Sequence, residues 1–507
     1  MALEVAPSAP AGQRRALVGP YRWVGFAGSA LIAVTAPLWR LSGPTWRLTI
    51  PGVPHNGERP VTAILFVLGT SMLGIAWLGL ISRVERSTLP ERDRMRAVLL
   101  TSMLWFAPLL LGPPLLSSDI YSYAAEGEMA SRGIDPTSSG LSALRYGDYI
   151  ARTDPLWRKT NGNPYGPVQM GAAATAVEIT GHDVDLTLWA LRLLAVGSVL
   201  ASVWGLAEIA RHYGVSPPVA VAIGIANPIS VLHLVGGAHN DSLLLALLAT
   251  GLALALRGKW PLGVFVMALA MGVKVPAVAA LIYMGWERAG IGAALKKRLV
   301  VIGKAIACSL VLIAALCLFG RIGLFGWLTS MQNAGKTTGT LSATTRVGYV
   351  VSSIFRLVGL PANDSTWIAI FRLIGLASAA YICLRLLGLT RRVGVVQCAA
   401  LSMLIVVLLG PVVWPWYLAP PIALLGAAGV GRWRPSLIAL TIAFSFEVFP
   451  VGPNSKPVLE GSHFVSLGFI LLIAISVLAA PFVAEWWQEL RARSELPGQR
   501  LPFASAD

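Results

Sequence analysis

Twelve apolar windows run through this chain, at 22–42, 61–82, 97–116, 186–210, 217–236, 241–257, 298–320, 366–388, 395–413, 416–430, 435–450 and 464–485. A helix needs about 20 such residues to cross a bilayer. Lipid offers no partner to a free backbone N–H or C=O, so each run must satisfy its own groups, which the helix does within a single segment. The expected fold class is an all-α polytopic membrane protein, a helical bundle of about 12–14 transmembrane helices. Two further segments are less plain. The stretch 260–285 is long enough to cross but is interrupted at Gly272-Val273-Lys274-Val275-Pro276, and 347–360 is short.

Loop charge arbitrates, because Lys and Arg in short loops stay in the cytosol. With Arg14 and Arg15 inside, the loops carrying Arg86 to Arg96, Arg211, Arg257 with Lys259, Arg391 with Arg392, and Arg432 with Arg434 fall inside, as does the tail with Arg491 and Arg493. The cluster Arg288, Lys296, Lys297 and Arg298 joins them only if 260–285 is a re-entrant pair of half-helices. A hairpin is therefore expected, breaking at Lys274-Val275-Pro276, where proline removes a donor and disfavours helix at the residue before it. A simple crossing compensated by 347–360 is the alternative. The layout is a cytosolic tail at 1–20, one transmembrane domain at 21–485 and a cytosolic tail at 486–507.

Composition agrees with a membrane chain. Only 13% of the 507 residues are charged, about half the share of a soluble domain. The net charge of +16 sits in short loops between apolar runs, which argues for orientation in a membrane rather than for nucleic acid. Cys308, Cys317, Cys383 and Cys398 lie in apolar stretches with no CxxC, so they are expected as packing residues. The polar N-terminus lacks a signal-peptide pattern, and the first apolar run is expected to stay as a span.

The outer face receives one long segment, 117–185, and a second loop at 321–365. The first carries nine of the chain's 24 acids and is punctuated by Gly133, Pro136, Pro164, Gly166 and Pro167, so short surface helices are expected there. Within Ser117-Ser118-Asp119-Ile120-Tyr121-Ser122-Tyr123, Asp119 stands where the third span leaves the membrane. A carboxylate there can take a proton from an incoming hydroxyl, or it can cap the next helix. Arg132-Gly133-Ile134-Asp135-Pro136 and Asn161-Gly162-Asn163-Pro164-Tyr165-Gly166-Pro167 have the composition of turns. Gly237-Ala238-His239-Asn240-Asp241 lies at an outer span boundary, where Asp241 either caps the following helix or shares a cavity with Asp119. Trp414-Pro415-Trp416-Tyr417 reads as an interfacial aromatic belt or as a rigid platform for a sugar or isoprenoid. Lys274 is the most informative cation, since an ammonium at membrane depth costs several kcal/mol unless paired or solvated. It can hold an anionic headgroup at the hairpin apex, with Arg158, Lys159, Arg346 or Lys336 as helpers, or it can snorkel or pair with Glu447. No HExxH or similar histidine spacing suggests a metal.

Taken in order, SSDIYSYAAEGEMASRGIDP, NPYGPVQ, GGAHNDSLLLALL, the GVKVPA break and PWY resemble the GT-C membrane mannosyltransferases of actinobacteria. More narrowly, they resemble the polyprenyl-phosphate-mannose-dependent α-1,6-mannosyltransferases of lipomannan and lipoarabinomannan synthesis. The resemblance covers roughly residues 60–450. It implies a GT-C bundle in the plasma membrane with its active site on the periplasmic side, a lipid-linked sugar donor and a lipid-anchored mannan acceptor. It implies no cofactor and no metal. By the same resemblance Asp119 is the catalytic carboxylate. Lys274, Arg158 and Arg346 become candidates for the donor phosphate. Tyr123, Glu126, Asp135, Asn161, Asn163, Tyr165, His239, Asn240, Asp241, Trp414, Trp416 and Tyr417 become candidates for sugar and acceptor binding. A second acid, if used, falls to Glu126, Glu128, Asp135 or Asp241. A transferase using another polyprenyl-phosphate sugar, such as arabinofuranose, and a glycolipid transporter or flippase are the competing readings.

Overall fold

The apolar windows fold as helices. The computed structural model describes residues 19–38, 58–145, 147–154, 158, 164–324, 326, 341–451, 454–457 and 463–494. Its main helices are α1 (Tyr21–Leu38), α2 (Glu58–Arg86), α3 (Glu91–Leu111), α4 (Asp119–Ser131), α5 (Pro167–Ile179), α6 (Val184–His212), α7 (Pro217–Ile225) and α8 (Asp241–Leu256). They continue with α9 (Trp260–Met271), α10 (Val278–Arg288), α11 (Leu295–Phe319), α12 (Ala343–Leu357), α13 (Asp364–Leu387), α14 (Val395–Leu409), α15 (Pro415–Ala428), α16 (Arg434–Phe444) and α17 (His463–Ser494). Among the described residues, six helices are long and apolar enough to cross a membrane, or seven if the bent pair Pro217–Ile225 and Ser230–Gly236 is one span. The chain is an all-α polytopic membrane protein.

Two departures from the expected windows have local causes. The run 217–236 is bent by 64° between its two halves. Pro228 interrupts the helical ladder, and the Asn227 amide takes over the freed carbonyls of Ile223 and Gly224 at 2.9 and 2.8 Å while accepting from Ser230 N. The second half, Ser230–Gly236, is wound as a π-helix. The window 435–450 ends as a helix at Phe444 and continues into a two-stranded hairpin, Val448–Val451 with Asn454–Pro457.

Contacts sort the loops into two ends. At one end, Arg434 pairs with Glu85 at 2.5 Å, Arg211 with Glu91 at 2.8 Å and Arg257 with Glu208 at 2.7 Å, and Val396 N donates to Tyr213 Oη. At the other, Leu115 N donates to Gly236 O, Gly166 N to Val273 O and Ser342 Oγ to Gly410 O. The segment 260–285 is a hairpin. The Arg288 guanidinium, at the end of α10, lies 5.8 Å over the ring of Trp260, at the start of α9. Both ends of the hairpin are thus on the arginine-rich side, while its apex at Gly272–Lys274 reaches the opposite end.

That opposite end has its own packed cap. Ile120, Tyr123, Met129, Leu141, Tyr149 and Val177 belong to a second apolar cluster separate from the main bundle core. Helices α4 and α5 meet there so closely that a Cβ on Gly127 would lie 2.6 Å from the Ala173 backbone. Helix α4 starts with its Asp119 N–H donating to Ser117 Oγ at 3.1 Å, and stops at Gly133, whose φ of +72° suits a residue without Cβ. Buried Arg192 of α6 donates to the carbonyls of Leu109 and Gly112 at 2.6 and 2.7 Å, a cation placed on the negative end of α3. This fixes where the chain leaves the bundle for Asp119.

Candidate active site

Four segments converge at that end: the start of α4, the turn before α5, the 237–241 turn and the hairpin apex. Asp119 opens α4, with its side chain 14% exposed and its Oδ2 3.5 Å from His239 Nδ1. Tyr123, one helical turn later, points its hydroxyl at the same oxygen at 3.5 Å and at Tyr165 Oη at 3.4 Å. Burial, offset in part by the Lys274 charge and a Ser117 hydrogen bond, pushes the Asp119 carboxyl up to about 6. Such a group is ionised at neutral pH yet still basic enough to accept a proton. Burial likewise holds the Tyr123 and Tyr165 phenols well above their ordinary range, so both remain hydrogen donors.

Lys274 is extended at the hairpin break (φ −146°, ψ 134°). Its Nζ donates to Asp241 Oδ2 at 2.6 Å and lies 4.8 Å over the Tyr417 ring and 5.5 Å over the Tyr165 ring. The expected alternative of pairing with Glu447 is replaced by Asp241, 33 residues upstream at the start of α8. An ammonium has three donor hydrogens, and one carboxylate plus two aromatic faces aim it without using all of them. The apex is held by Gly166 N to Val273 O at 3.2 Å and Val168 N to Gly272 O at 2.9 Å. A Cβ on Gly166 would lie 2.3 Å from Gly272 O. Gly166→Ala is therefore expected to destabilise the protein by about 1–3 kcal/mol and to lower activity by displacing Tyr165 and Lys274. A thermal melt in detergent beside a transfer assay checks both.

The aromatic motif stands beside this group. Trp414 stacks on Trp416 (centroids 4.9 Å apart, 9° between planes), and Trp416 stacks on His239 (3.9 Å, 14°). His233, from the π-helical turn, packs against Trp416 at 5.5 Å. His239 and Asn240 are buried, and burial pushes the His239 imidazole well down, which keeps it neutral. Neither amide atom of Asn240 has a hydrogen-bond partner among the described residues, a costly state for a buried group unless a ligand completes it.

Other expected site residues fall elsewhere. Asp135 accepts from Thr137 N and Oγ1 through Oδ1 and from Gly323 N through Oδ2. Its carboxylate ties the loop before 141 to the end of α11, so the turn reading of Gly133-Ile134-Asp135-Pro136 is the one the structure follows. Arg158 donates to the carbonyls of Ala151 and Thr153 and closes its own loop instead of facing Lys274. Arg346, buried on α12, bonds His463 Nδ1 at 2.9 Å, in a group joined to the 410–411 segment that leads to Trp414. Glu126 is buried on α4, and its charge reaches Tyr165. Glu128 is held by Arg132 Nε and His182 Nδ1, each at 2.7 Å. Asn161, Asn163, Lys159 and Lys336 lie outside the described residues. His233 and Ser117 belong to the site but carried no signal in the sequence beyond neighbouring Pro228 and Asp119.

Comparison with known proteins gives a consistent result. Residues 22–290 match the alpha-(1→6)-mannopyranosyltransferase N-terminal domain family, and residues 344–480 match the MptB C-terminal domain. Alpha-(1→6)-mannopyranosyltransferase A of Mycobacterium tuberculosis is 32% identical over 468 residues, covering 88% of this chain and 85% of the relative. Alpha-(1→6)-mannopyranosyltransferase B of Corynebacterium glutamicum is 30% identical over 461 residues, covering 84% and 74%.

Proposed function

This chain belongs to the alpha-(1→6)-mannopyranosyltransferase family, and on that premise we propose that it moves mannose from polyprenyl-phosphate mannose to the 6-hydroxyl of an α-1,6-mannan in lipomannan and lipoarabinomannan synthesis. The supporting observation is the gathering of Asp119, Lys274 and the Asn240 amide at one end of the bundle, beside the Trp414–Trp416–His239 stack.

Asp119 takes the proton from the acceptor O6 as that oxygen forms a bond to C1 of the donor mannose. The C1–O bond to phosphate breaks on the opposite face, so a β-linked donor becomes an α-linked product. The polyprenyl phosphate leaves with the bonding electrons. Lys274, aimed by Asp241, sits where it can neutralise the charge growing on that phosphate, the kind of fixed stabilisation that dominates such transfers. Tyr123, Tyr165 and Asn240 supply hydrogen bonds to sugar hydroxyls, and Trp414 and Trp416 border the donor entrance. The basic loops at the far end favour a cytosolic position for that end, which supports a periplasmic site in this proposal. The scheme requires no cofactor and no metal.

The test is purified protein in detergent with radiolabelled polyprenyl-phosphate mannose and a short α-1,6-oligomannoside. Label in an α-1,6-extended product is expected. Transfer only from a polyprenyl-phosphate arabinofuranose, or glycolipid movement across proteoliposomes with no new glycosidic bond, would contradict the proposal.

A further inference from the structure

A groove of about 530 Å³ opens between α9 and α11, at the end of the bundle opposite Asp119. Its walls are Val264, Phe265 and Ala268 on one side and Val301, Ala305 and Leu312 on the other. On each helix these recur on one face. The apolar window of α11 is only 17% buried inside the protein; Val264, Ala268 and Ala305 form the buried floor of the groove, and exposed Phe265 stands at its open edge.

Two cations stand over the trough. Arg288 lines it with its guanidinium 5.8 Å over the Trp260 ring, and Lys304 lines it from α11. Lys304 is exposed and six residues into the apolar window that begins at 298, about 9 Å along the helix at 1.5 Å per residue. At that depth an ammonium needs an anion or a path to water, and such a residue points to function by default. No carboxylate is among the lining residues, although exposed Glu287 adjoins Arg288. Paired cations above an apolar channel match a molecule with a phosphate head and an acyl chain. A free phosphate leaves the channel unused, and a zwitterionic head leaves the positive charge uncompensated.

We propose that this groove binds one anionic phospholipid from the leaflet at the arginine-rich end. The phosphate sits between Arg288 and Lys304, and an acyl chain lies along Val264 to Leu312. The lipid braces the hairpin of α9 and α10 against α11, and that hairpin carries Lys274 at its apex.

The experiment is thermal unfolding of the full chain in neutral detergent with added phosphatidylglycerol, phosphatidylcholine or glycerol phosphate. Phosphatidylglycerol is expected to raise the midpoint, with little response to the other two. Arg288→Gln/Lys304→Gln is expected to lose at least about half of that rise, whereas Lys296→Gln/Lys297→Gln, at the same end but outside the groove, keeps it. Leu312→Trp fills the channel and retains both charges, and it too is expected to lose the rise. An equal rise with phosphatidylcholine or glycerol phosphate overturns the proposal. So does full retention of the rise in either groove variant.

Discussion

Asp119→Asn is expected to lower mannosyl transfer by about 10²–10⁴-fold, the usual contribution of a positioned general base, with a melting temperature equal to or above that of the wild type. The second half of this expectation follows from linkage. The folded protein holds the Asp119 carboxyl up at about 6, above its ordinary 3.8, chiefly through burial. The fold therefore favours the neutral form, and the ionised form at neutral pH costs stability. Asparagine is neutral and nearly isosteric, and the hydrogen bond that starts α4 runs from the backbone N–H to Ser117 Oγ, so it survives the substitution. Asparagine caps a helix as well as aspartate does, so base and cap are separated by Asp119→Ala, in which the loss of a cap would destabilise by roughly 0.5–2 kcal/mol. Retention of more than about a tenth of the rate would remove Asp119 from the role.

Lys274→Met is expected to be damaging in two ways that a second substitution separates. Lys274 and Asp241 are both buried and 2.6 Å apart, and removing one partner of such a pair typically costs about 3–5 kcal/mol because the other charge is left uncompensated. The single variant should therefore melt lower and lose activity. In Lys274→Met/Asp241→Asn no charge is stranded, and much of the lost stability is expected to return. Activity is not, since a fixed charge facing the leaving group is worth about 10²–10³ in kcat. Recovery of both stability and activity in the double variant would make the pair a structural tie.

How far the sequence could be read depended on whether a residue's partner was local. The hairpin at 260–285 was legible because Pro276 and the charge of the 288–298 loop both bear on it within one segment. The bend at 226–229 was equally local, yet Asn227-Pro228 was lost inside an otherwise apolar run, and the window passed as one straight crossing. The partner of Lys274 was out of reach. Glu447 was the anion the sequence suggested, and only the fold brings Asp241 to Nζ. Asp135 shows the converse: its motif carried part of the resemblance, but one carboxylate oxygen closes its own turn and the other holds Gly323 N at the end of α11. Trp414 and Trp416 were read as a platform or an interfacial belt. Their stack continues into His239, a residue far away in sequence, which no spacing rule connects to them. The order of motifs along the chain, by contrast, needed no geometry, and the two family matches together span the residues that carried it.

The claim that an ionised Asp119 receives the acceptor proton is tested most directly by the pH dependence of kcat/KM for wild-type protein with saturating lipid donor and limiting oligomannoside. The base must be deprotonated to work, so the rate should be lost as pH falls through the Asp119 value of about 6. It should drop about tenfold per pH unit below that point and level off above it. A profile that stays flat between about pH 5 and 8, where a base of this pKa must titrate, would contradict the account.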